Sequence, residues 1–163
     1  MARFVAADAS PLIGLATVEA LELLRGLFGT VMITRLVKDE VTGEPDRPGA
    51  RDLDAAMRAG WLRVAPAPPE TWQLAGIDAG EASTIALALQ HDGALVLMDD
   101  ALGTAQAAAR GVEVLGLAGL LLAAKRARLV AAVEPIVARL ARRGFTMPDD
   151  MRTALLREAG EGG

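Results

Sequence analysis

The sequence predicts an α/β fold, a three-layer α/β/α sandwich with a mostly parallel central sheet. Short apolar segments of strand length alternate with longer helical segments, which is the order of βαβ units with right-handed crossovers. Residues 94–98 are apolar at every position, as expected of a strand covered on both faces. The 163 residues suit one domain and are short for two. We therefore expect a single domain over residues 1–160 and a disordered tail at residues 161–163.

Five short segments are predicted to be strands, because each is mostly apolar and lies next to a charged residue, a glycine or a predicted helix. In chain order they are residues 3–7, 31–33, 61–64, 94–98 and 112–115. The first ends at Asp8, and the fourth ends at the pair Asp99 and Asp100.

Eight segments are predicted to be helices from their apolar spacing or their boundary residues. In chain order they are residues 18–28, 34–41, 50–59, 80–90, 101–110, 118–128, 130–142 and 148–158. Thr34 is a typical N-cap for the second of them. Glycine and proline predict loops at residues 43–49 and 65–70.

Composition excludes several classes of protein. Apolar residues make up 52% of the chain, but the strongest apolar stretch, residues 115–124, is shorter than the roughly 20 residues that span a bilayer. Asp8 interrupts any secretory signal pattern. The chain has no cysteine, so disulfides and thiolate metal sites are excluded. We expect a cytoplasmic protein without membrane association. The net charge of −4 does not favour binding nucleic acid by bulk electrostatics.

The most informative feature is a set of carboxylates at strand ends and helix starts. They are Asp8, Glu40, Glu81, Asp99 and Asp100. Ligands of open parallel sheets bind outside the carboxyl ends of strands, where Asp8 and the Asp99–Asp100 pair meet if their strands are neighbours. Carboxylates that converge are stable with protons, cationic partners or a metal ion between them.

Hard oxygen ligands favour Mg²⁺ or Mn²⁺ over Zn²⁺. The predicted metal ligands are Asp8, Glu81, Asp99 and Asp100, and Glu40 completes the predicted catalytic set. The hydroxyl of Ser10 is predicted to hydrogen-bond and orient a neighbouring carboxylate. A metal in such a pocket suits the hydrolysis of phosphodiesters.

Each carboxylate also has a structural interpretation. Asp8 is a candidate helix cap, and Glu40 a candidate solvated residue on a helix face. Glu81 would stabilise a helix start through the macrodipole whatever else it does. Asp99 is a candidate N-cap of the helix that follows it. The common position of the acids at one predicted sheet edge favours the functional interpretation.

Six segments of the chain share a recognisable pattern. They are ADASPLIGLA at 7–16, VKDEV at 37–41, GWLRV at 60–64, GEASTIALAL at 80–89, LVLMDD at 95–100 and VEVLGLAGLLLAAK at 112–125. With these segments the chain resembles the PIN-domain superfamily, the fold of VapC-type toxin ribonucleases. It is more closely similar to the PIN-like family described as predicted nucleic-acid-binding proteins, and the likeness extends through residues 142–160.

The resemblance implies specific roles and partners. Asp8, Glu40 and Glu81 correspond to metal-site acids of the family, and the fourth acid comes from the Asp99–Asp100 pair, where Asp100 is the slightly better match. The resemblance further implies RNA as substrate, a cognate antitoxin protein as partner, and a homodimer.

The chain departs from the closer family at two positions. Thr104 stands where an arginine is usual, and Leu117 stands where a threonine is usual. Both departures fall near the expected substrate edge, so they bear on substrate positioning, while the acids are intact.

Three functions follow from these observations. The first is a metal-dependent endoribonuclease, the toxin half of a toxin–antitoxin pair. The second is a catalytically weak or inactive RNA- or protein-binding module on the same scaffold. The third, a receiver-like phosphoacceptor domain, would need a lysine after a late strand, and Lys125 lies too deep in a predicted helix.

Overall fold

A computed structural model describes residues 2–66 and 76–162. Within this part of the chain, five parallel strands form one sheet in the order β3-β2-β1-β4-β5. They are β1 (Val5–Ala7), β2 (Val31–Ile33), β3 (Leu62–Val64), β4 (Leu95–Leu97) and β5 (Glu113–Leu115). Most of the predicted loop at residues 65–70 lies outside the described residues.

Nine helices connect and follow the strands over the described residues. They are α1 (Ala9–Thr17), α2 (Glu22–Phe28), α3 (Arg35–Thr42), α4 (Ala50–Ala59), α5 (Ala79–Leu89), α6 (Ala101–Ala109), α7 (Leu117–Arg126), α8 (Glu134–Arg142) and α9 (Asp149–Glu158). None of these helices is long and apolar enough to cross a membrane.

Helices cover the sheet on both faces, and the alternation of side chains along the strands follows from this arrangement. Val5 and Ala7 of β1 point into a large core that includes residues of α1, α2, α4, α7 and α8. Ala6 points to the opposite face, where it packs with Leu87 of α5. On that second face Val96 packs against α5 and α6. The predicted α/β/α fold with a parallel sheet is confirmed.

The order of the strands creates a crevice beside β1. The chain moves outward from β1 to β2 and β3, and then returns to add β4 and β5 on the other side of β1. Ala7 pairs with Leu97, and the backbone N–H of Asp8 donates to the carbonyl of Leu97 at 2.9 Å. Asp8 and the residues after β4 therefore leave the sheet side by side, at the position where open α/β sheets bind ligands.

Two predicted helices begin clearly later than expected. The helix expected over residues 130–142 begins only at Glu134. The helix expected over residues 18–28 begins only at Glu22, and residues 9–17 form a separate helix α1. Glu19 adopts a left-handed backbone (φ 60°), which interrupts the helical path between α1 and α2. Pro11 is tolerated in α1 because it lies in the first turn, where its missing N–H is not needed.

The tail expected to be disordered is fixed at its first residue. The Glu161 carboxylate accepts hydrogen bonds from Lys125 Nζ at 2.8 Å, from the backbone N–H of Val133 at 2.9 Å and from that of Glu134 at 3.0 Å. It thus satisfies donors at the start of α8, which no side chain of the preceding segment caps. Residue 163 lies outside the described residues.

We predict that Glu161→Ala lowers the free energy of unfolding by about 1–3 kcal/mol, because charged hydrogen bonds to buried donors are removed. Chemical denaturation of the full chain measures the change. The matched control is Glu158→Ala, since Glu158 is exposed and lies 3.9 Å from Arg126. The control variant should lose less than about 1 kcal/mol. Equal stability of both variants and the wild type would show that the Glu161 side chain does not stabilise the fold.

Candidate active site

Three carboxylates from separate parts of the chain converge at the start of α5. A Cβ atom placed on Gly80 would lie 3.3 Å from Glu40 Oε2, 3.4 Å from Asp78 Oδ1 and 3.9 Å from Asp8 Oδ1. Asp8 follows the end of β1, Glu40 lies in the second turn of α3, and Asp78 is the residue before α5. Gly80 leaves room for this approach, because a methyl group there would press on Glu40 and Asp78. The structure thus brings the predicted residues Asp8 and Glu40 together.

Asp8 is buried at the centre of this group. Only 4% of the residue is exposed, and although it occupies the N-cap position of α1, its side chain makes no capping hydrogen bond. Asp8 thus holds the cap position without the usual side-chain cap, and its carboxylate accepts instead from the N–H of Ala9. Burial raises the pKa of Asp8 to about 7 and is opposed by the backbone N–H of Ala9. Repulsion from neighbouring carboxylates adds to the increase, and these are Glu81, Asp78 and Glu40.

Glu81 and Asp78 form a reciprocal cap at the start of α5. The Asp78 carboxylate accepts from the Glu81 N–H at 2.8 Å, and Glu81 Oε2 accepts from the Asp78 N–H at 3.1 Å. Burial raises the pKa of Glu81, against the lowering effect of the Asp78 N–H. The charges of Asp78, Asp100 and Glu40 also raise it. Glu81 therefore stabilises the helix start, as its structural interpretation proposed, and also belongs to the acid group.

Asp78 is the site residue that sequence reasoning missed. Its charge raises the pKa values of Asp8, Glu40 and Glu81, so it faces all three. The spacing Asp-x-x-Glu at residues 78–81 is a capping-box signal and could have identified it.

Glu40 is exposed on its helix face, as its structural interpretation proposed, and its carboxylate also belongs to the group. Partial burial of its carboxyl raises its pKa, and the charge of Asp78 adds to this effect. The guanidinium of Arg47, in the loop after α3, acts in the opposite direction and lowers the pKa of Glu40. A cationic side chain therefore borders the acid group on the α3 side.

Asp99 and Asp100 separate after β4. Asp100 caps α6, since its Oδ2 accepts from the Gly103 N–H at 2.7 Å, and its charge raises the pKa of Glu81. Asp99 Oδ1 instead accepts from the Leu117 N–H at 2.9 Å, at the start of α7. Burial raises the pKa of Asp99 and this hydrogen bond lowers it. The expected N-cap role of Asp99 for the next helix is wrong, because Asp100 has that role, and Asp100 is the member of the pair that faces the acid group.

The hydroxyl groups of Thr34 and Ser83 link the two helices that carry acids of the group. Thr34 caps α3 by accepting from the Val37 N–H at 3.2 Å, as predicted, and its Oγ1 lies 2.7 Å from Ser83 Oγ. Ser83 also donates to the carbonyl of Gly80 at 2.8 Å. This buried chain of hydrogen bonds ties α3 to α5 and so sets the distance between their acids. Ser10 is exposed, and within the described residues its hydroxyl makes no hydrogen bond, so its orienting role stays a prediction.

The donor chemistry of the group fits a hard divalent cation. All of its ligand atoms are carboxylate oxygens, which suit Mg²⁺ or Mn²⁺, and raised pKa values show that the anionic forms are disfavoured until positive charge arrives. The spacing is wider than a coordination shell. Within residues 2–66 and 76–162, no three histidine or acidic side chains are close enough to hold an ion as arranged. Binding would require the side chains to draw together.

The comparisons with known proteins agree with this fold and its crevice. The model of family DUF3368, described as a PIN domain, matches residues 4–161. This match spans nearly the whole chain, so the chain belongs to the PIN-domain family, and the resemblance found in the sequence is confirmed. PIN domains have a nuclease-type fold.

A solved structure shows the same architecture. It is a PilT N-terminus domain protein from the hyperthermophilic archaeon Sulfolobus solfataricus P2, with a TM-score of 0.54 and 20% sequence identity. The alignment covers 72% of this chain and 89% of that chain. At this identity the likeness shows the fold alone. No curated protein matches the chain.

We predict that Asp8→Asn stabilises the metal-free protein at pH 8. The folded chain keeps the Asp8 proton up to about pH 7, whereas the unfolded chain releases it near its usual pKa of 3.8. The charge of Asp8 therefore costs stability increasingly between about pH 4 and pH 7. At pH 8 the variant should gain a few kcal/mol, about 1.4 kcal/mol for each pKa unit, and the gain should vanish below about pH 4.

Denaturant unfolding at the two pH values, with chelator present, measures this difference. Asp39→Asn is the matched control, because Asp39 lies beside Glu40 in α3 but is exposed. A gain for Asp8→Asn that is the same at pH 4 and pH 8 would contradict the account, since repulsion and burial act only on the charged form.

Proposed function

We propose that this protein is a metal-dependent endoribonuclease that hydrolyses phosphodiester bonds of RNA. The observation that carries the proposal is the convergence of Asp8, Glu40 and Asp78 at the crevice of a nuclease-type fold. The raised pKa of Asp8 supports it, because perturbed carboxyl groups in a cleft are characteristic of functional sites.

In this proposal Mg²⁺ or Mn²⁺ is held by the acid group, with Asp8, Glu40, Asp78 and Asp100 as candidate ligands. The bound cation would shield phosphate charge and lower the pKa of its water. Glu81 holds the start of α5 in place through its reciprocal cap with Asp78. The Thr34–Ser83 hydrogen bond fixes α3 against α5 and so orients Glu40 towards Gly80. The role of Asp99 is to anchor α7 through Leu117, although it remains a candidate ligand.

The biological setting is part of the same proposal. We propose that the ribonuclease acts in the cytoplasm as the toxin of a toxin–antitoxin pair. Its partners would be a cognate antitoxin protein and a second copy of the chain.

A specific observation favours a second candidate, a catalytically weak RNA- or protein-binding module. Thr104 lies in the first turn of α6, close to Asp100, at the position where the family that the sequence resembles usually has an arginine. Without that guanidinium a scissile phosphate has one fewer cationic partner near the acids. The acid spacing, wider than a coordination shell, points in the same direction.

We predict that the wild-type chain cleaves single-stranded RNA slowly with Mn²⁺, and that Asp8→Asn and Asp100→Asn each reduce the rate at least a hundredfold. Removing either acid takes away a charge that would hold the metal. Gel analysis of end-labelled RNA measures the rate, and Asp39→Asn should cleave like the wild type. Induced expression of the wild type, but not of Asp8→Asn, should arrest growth of the host. Failure of the wild type to cleave varied RNAs, with metal binding verified, would favour the binding module.

We predict that Thr104→Arg raises the cleavage rate several-fold, because it restores a guanidinium beside the acids. Single-turnover rates at saturating enzyme separate this effect from a change in RNA affinity. Ala105→Arg is the matched control, since Ala105 is exposed on the same helix and the added charge is equal. If both variants accelerate equally, general attraction of RNA, and not positioning at residue 104, limits the wild type.

A further inference from the structure

Two adjoining clefts lie at the far end of α1 from Asp8. The first has a volume of about 430 Å³ and includes Arg47, Arg51 and Arg143 in its walls. The second has a volume of about 270 Å³ and includes Arg139, Arg142 and again Arg143. Thr17 lines both clefts, so they are continuous around the end of α1. We call the five arginines and the space between them the arginine cleft.

The arginine cleft carries a small net positive charge, because its five arginines outnumber the three acids in its walls and Glu44, which pairs with Arg47. Arg47 pairs with Glu44 at 3.3 Å, and its Nη1 is buried without a hydrogen-bond partner. The other four arginines make neither an ion pair nor a hydrogen bond within the described residues. They are Arg51, Arg139, Arg142 and Arg143. The acids Glu19, Asp46 and Asp52 also line the clefts, but the arginines outnumber them.

The cleft is a built feature rather than a chance group of surface arginines. The loop that carries Arg47 lies against the end of α1, where Thr17 Oγ1 donates to the Ile13 carbonyl at 2.7 Å and also approaches the Pro48 carbonyl at 3.2 Å. At Gly49 the backbone has φ +88°, and a Cβ there would lie 2.5 Å from the Ala16 carbonyl carbon. Only glycine permits this approach. The loop is thus fixed between α1 and α4.

The same loop connects the cleft to the acid group. The loop that carries Arg47 directly follows α3, the helix that carries Glu40, and the charge of Arg47 lowers the pKa of Glu40. Asp8 and Thr17 lie at opposite ends of α1, a helix about 12 Å long, so this distance separates the acids from the cleft. A chain molecule lying at the acids therefore passes cationic side chains as it continues past α1.

We propose that the arginine cleft binds the phosphate groups of single-stranded RNA flanking the bond that is cut. This inference rests on the proposed function. A polyanion approaching a protein with net charge −4 and a group of acids needs local positive charge to be held. Guanidinium groups bind phosphate oxygens through paired hydrogen bonds and stay charged at all working pH values. Contacts of this kind position the strand without reading its sequence.

The test measures binding apart from cleavage. Fluorescence anisotropy follows a labelled single-stranded RNA with the full-length chain in chelator, so no hydrolysis occurs. The variants are Arg142→Gln with Arg143→Gln on the α8 side, and separately Arg51→Gln in α4. The matched control is Arg152→Gln with Arg157→Gln, which removes the same charge from exposed positions of α9.

We expect the double α8 variant to bind RNA at least tenfold more weakly than the wild type, and Arg51→Gln to bind several-fold more weakly. The slope of log K against log salt should become shallower by about 0.7 for each phosphate group that a variant no longer neutralises. The α9 control should bind within twofold of the wild type. Thermal unfolding of each variant checks that folding is retained. The α4 variant tests a second wall of the cleft independently of the α8 variant.

Several results would overturn the inference. One is that the wild type does not bind RNA, and another is that the α8 and α9 variants weaken binding equally. A third is that a polyglutamate peptide binds more tightly than RNA, which would assign the cleft to an acidic protein partner. The fate of the proposed function is separable. If the cleft variants bind RNA like the wild type and still cleave it in a way that requires Asp8, the proposed nuclease activity stands and the proposed role of the arginine cleft is wrong. If RNA binding requires the arginine cleft but the wild type cleaves no RNA, the cleft stands as an RNA-binding site and the proposed nuclease activity is wrong.

Discussion

The burial of Asp8 among other carboxylates beside β1 is the constraint on which the rest of the structure depends. Strand order places the end of β1 next to the end of β4, and Asp8 leaves the sheet at that point, almost fully buried. Glu40 and Asp78 approach the same place from α3 and α5. Burial raises the pKa of Asp8 to about 7, so the native chain carries a standing electrostatic cost at neutral pH. The surrounding contacts reduce that cost and hold the acids together in spite of it.

The helix ends around the crevice provide much of this compensation. The N-termini of α1, α5 and α6 all begin at acids of the group, and the positive end of a helix dipole stabilises a nearby carboxylate. Asp78, Glu81 and Asp100 also accept hydrogen bonds from N–H groups at these helix starts. Asp8 differs from them in balance, because burial outweighs its hydrogen bond from the Ala9 N–H and raises its pKa to about 7. The most buried acid is thus the one whose charge would gain most from a bound cation.

The sequence was sufficient to predict the fold and most of the acid group, and the reasons are local. Strand exits and helix starts can be read from apolar runs and cap residues, so Asp8, Glu40 and Glu81 were placed correctly near the crevice. The split between Asp99 and Asp100 could not be predicted, since it depends on an N–H at Leu117, 18 residues further along the chain. Asp78 was missed although its spacing to Glu81 carries a capping signal. The short helix α1 escaped prediction because Pro11 and Gly14, which are typical of loops, lie within its nine residues.

The separation of negative and positive charge within the molecule is consistent with the proposed function. The acids lie at the start of α1 and the arginine cleft at its end, and Arg47 of the cleft lowers the pKa of Glu40. Such an arrangement would hold a polyanion by its flanking phosphates while the acids concentrate a cation at one bond. It also explains how a chain with net charge −4 could act on RNA.

The most direct measurement of the central claim is the anomalous diffraction of crystals grown at pH 8 and soaked in Mn²⁺. The account predicts one strong manganese peak bounded by Asp8, Glu40 and Asp78, with these side chains closer together than in the metal-free protein. The peak should be absent from crystals of Asp8→Asn. Manganese bound elsewhere on the surface, with the acid group unchanged and empty at millimolar metal, would contradict the claim that these carboxylates form a metal site.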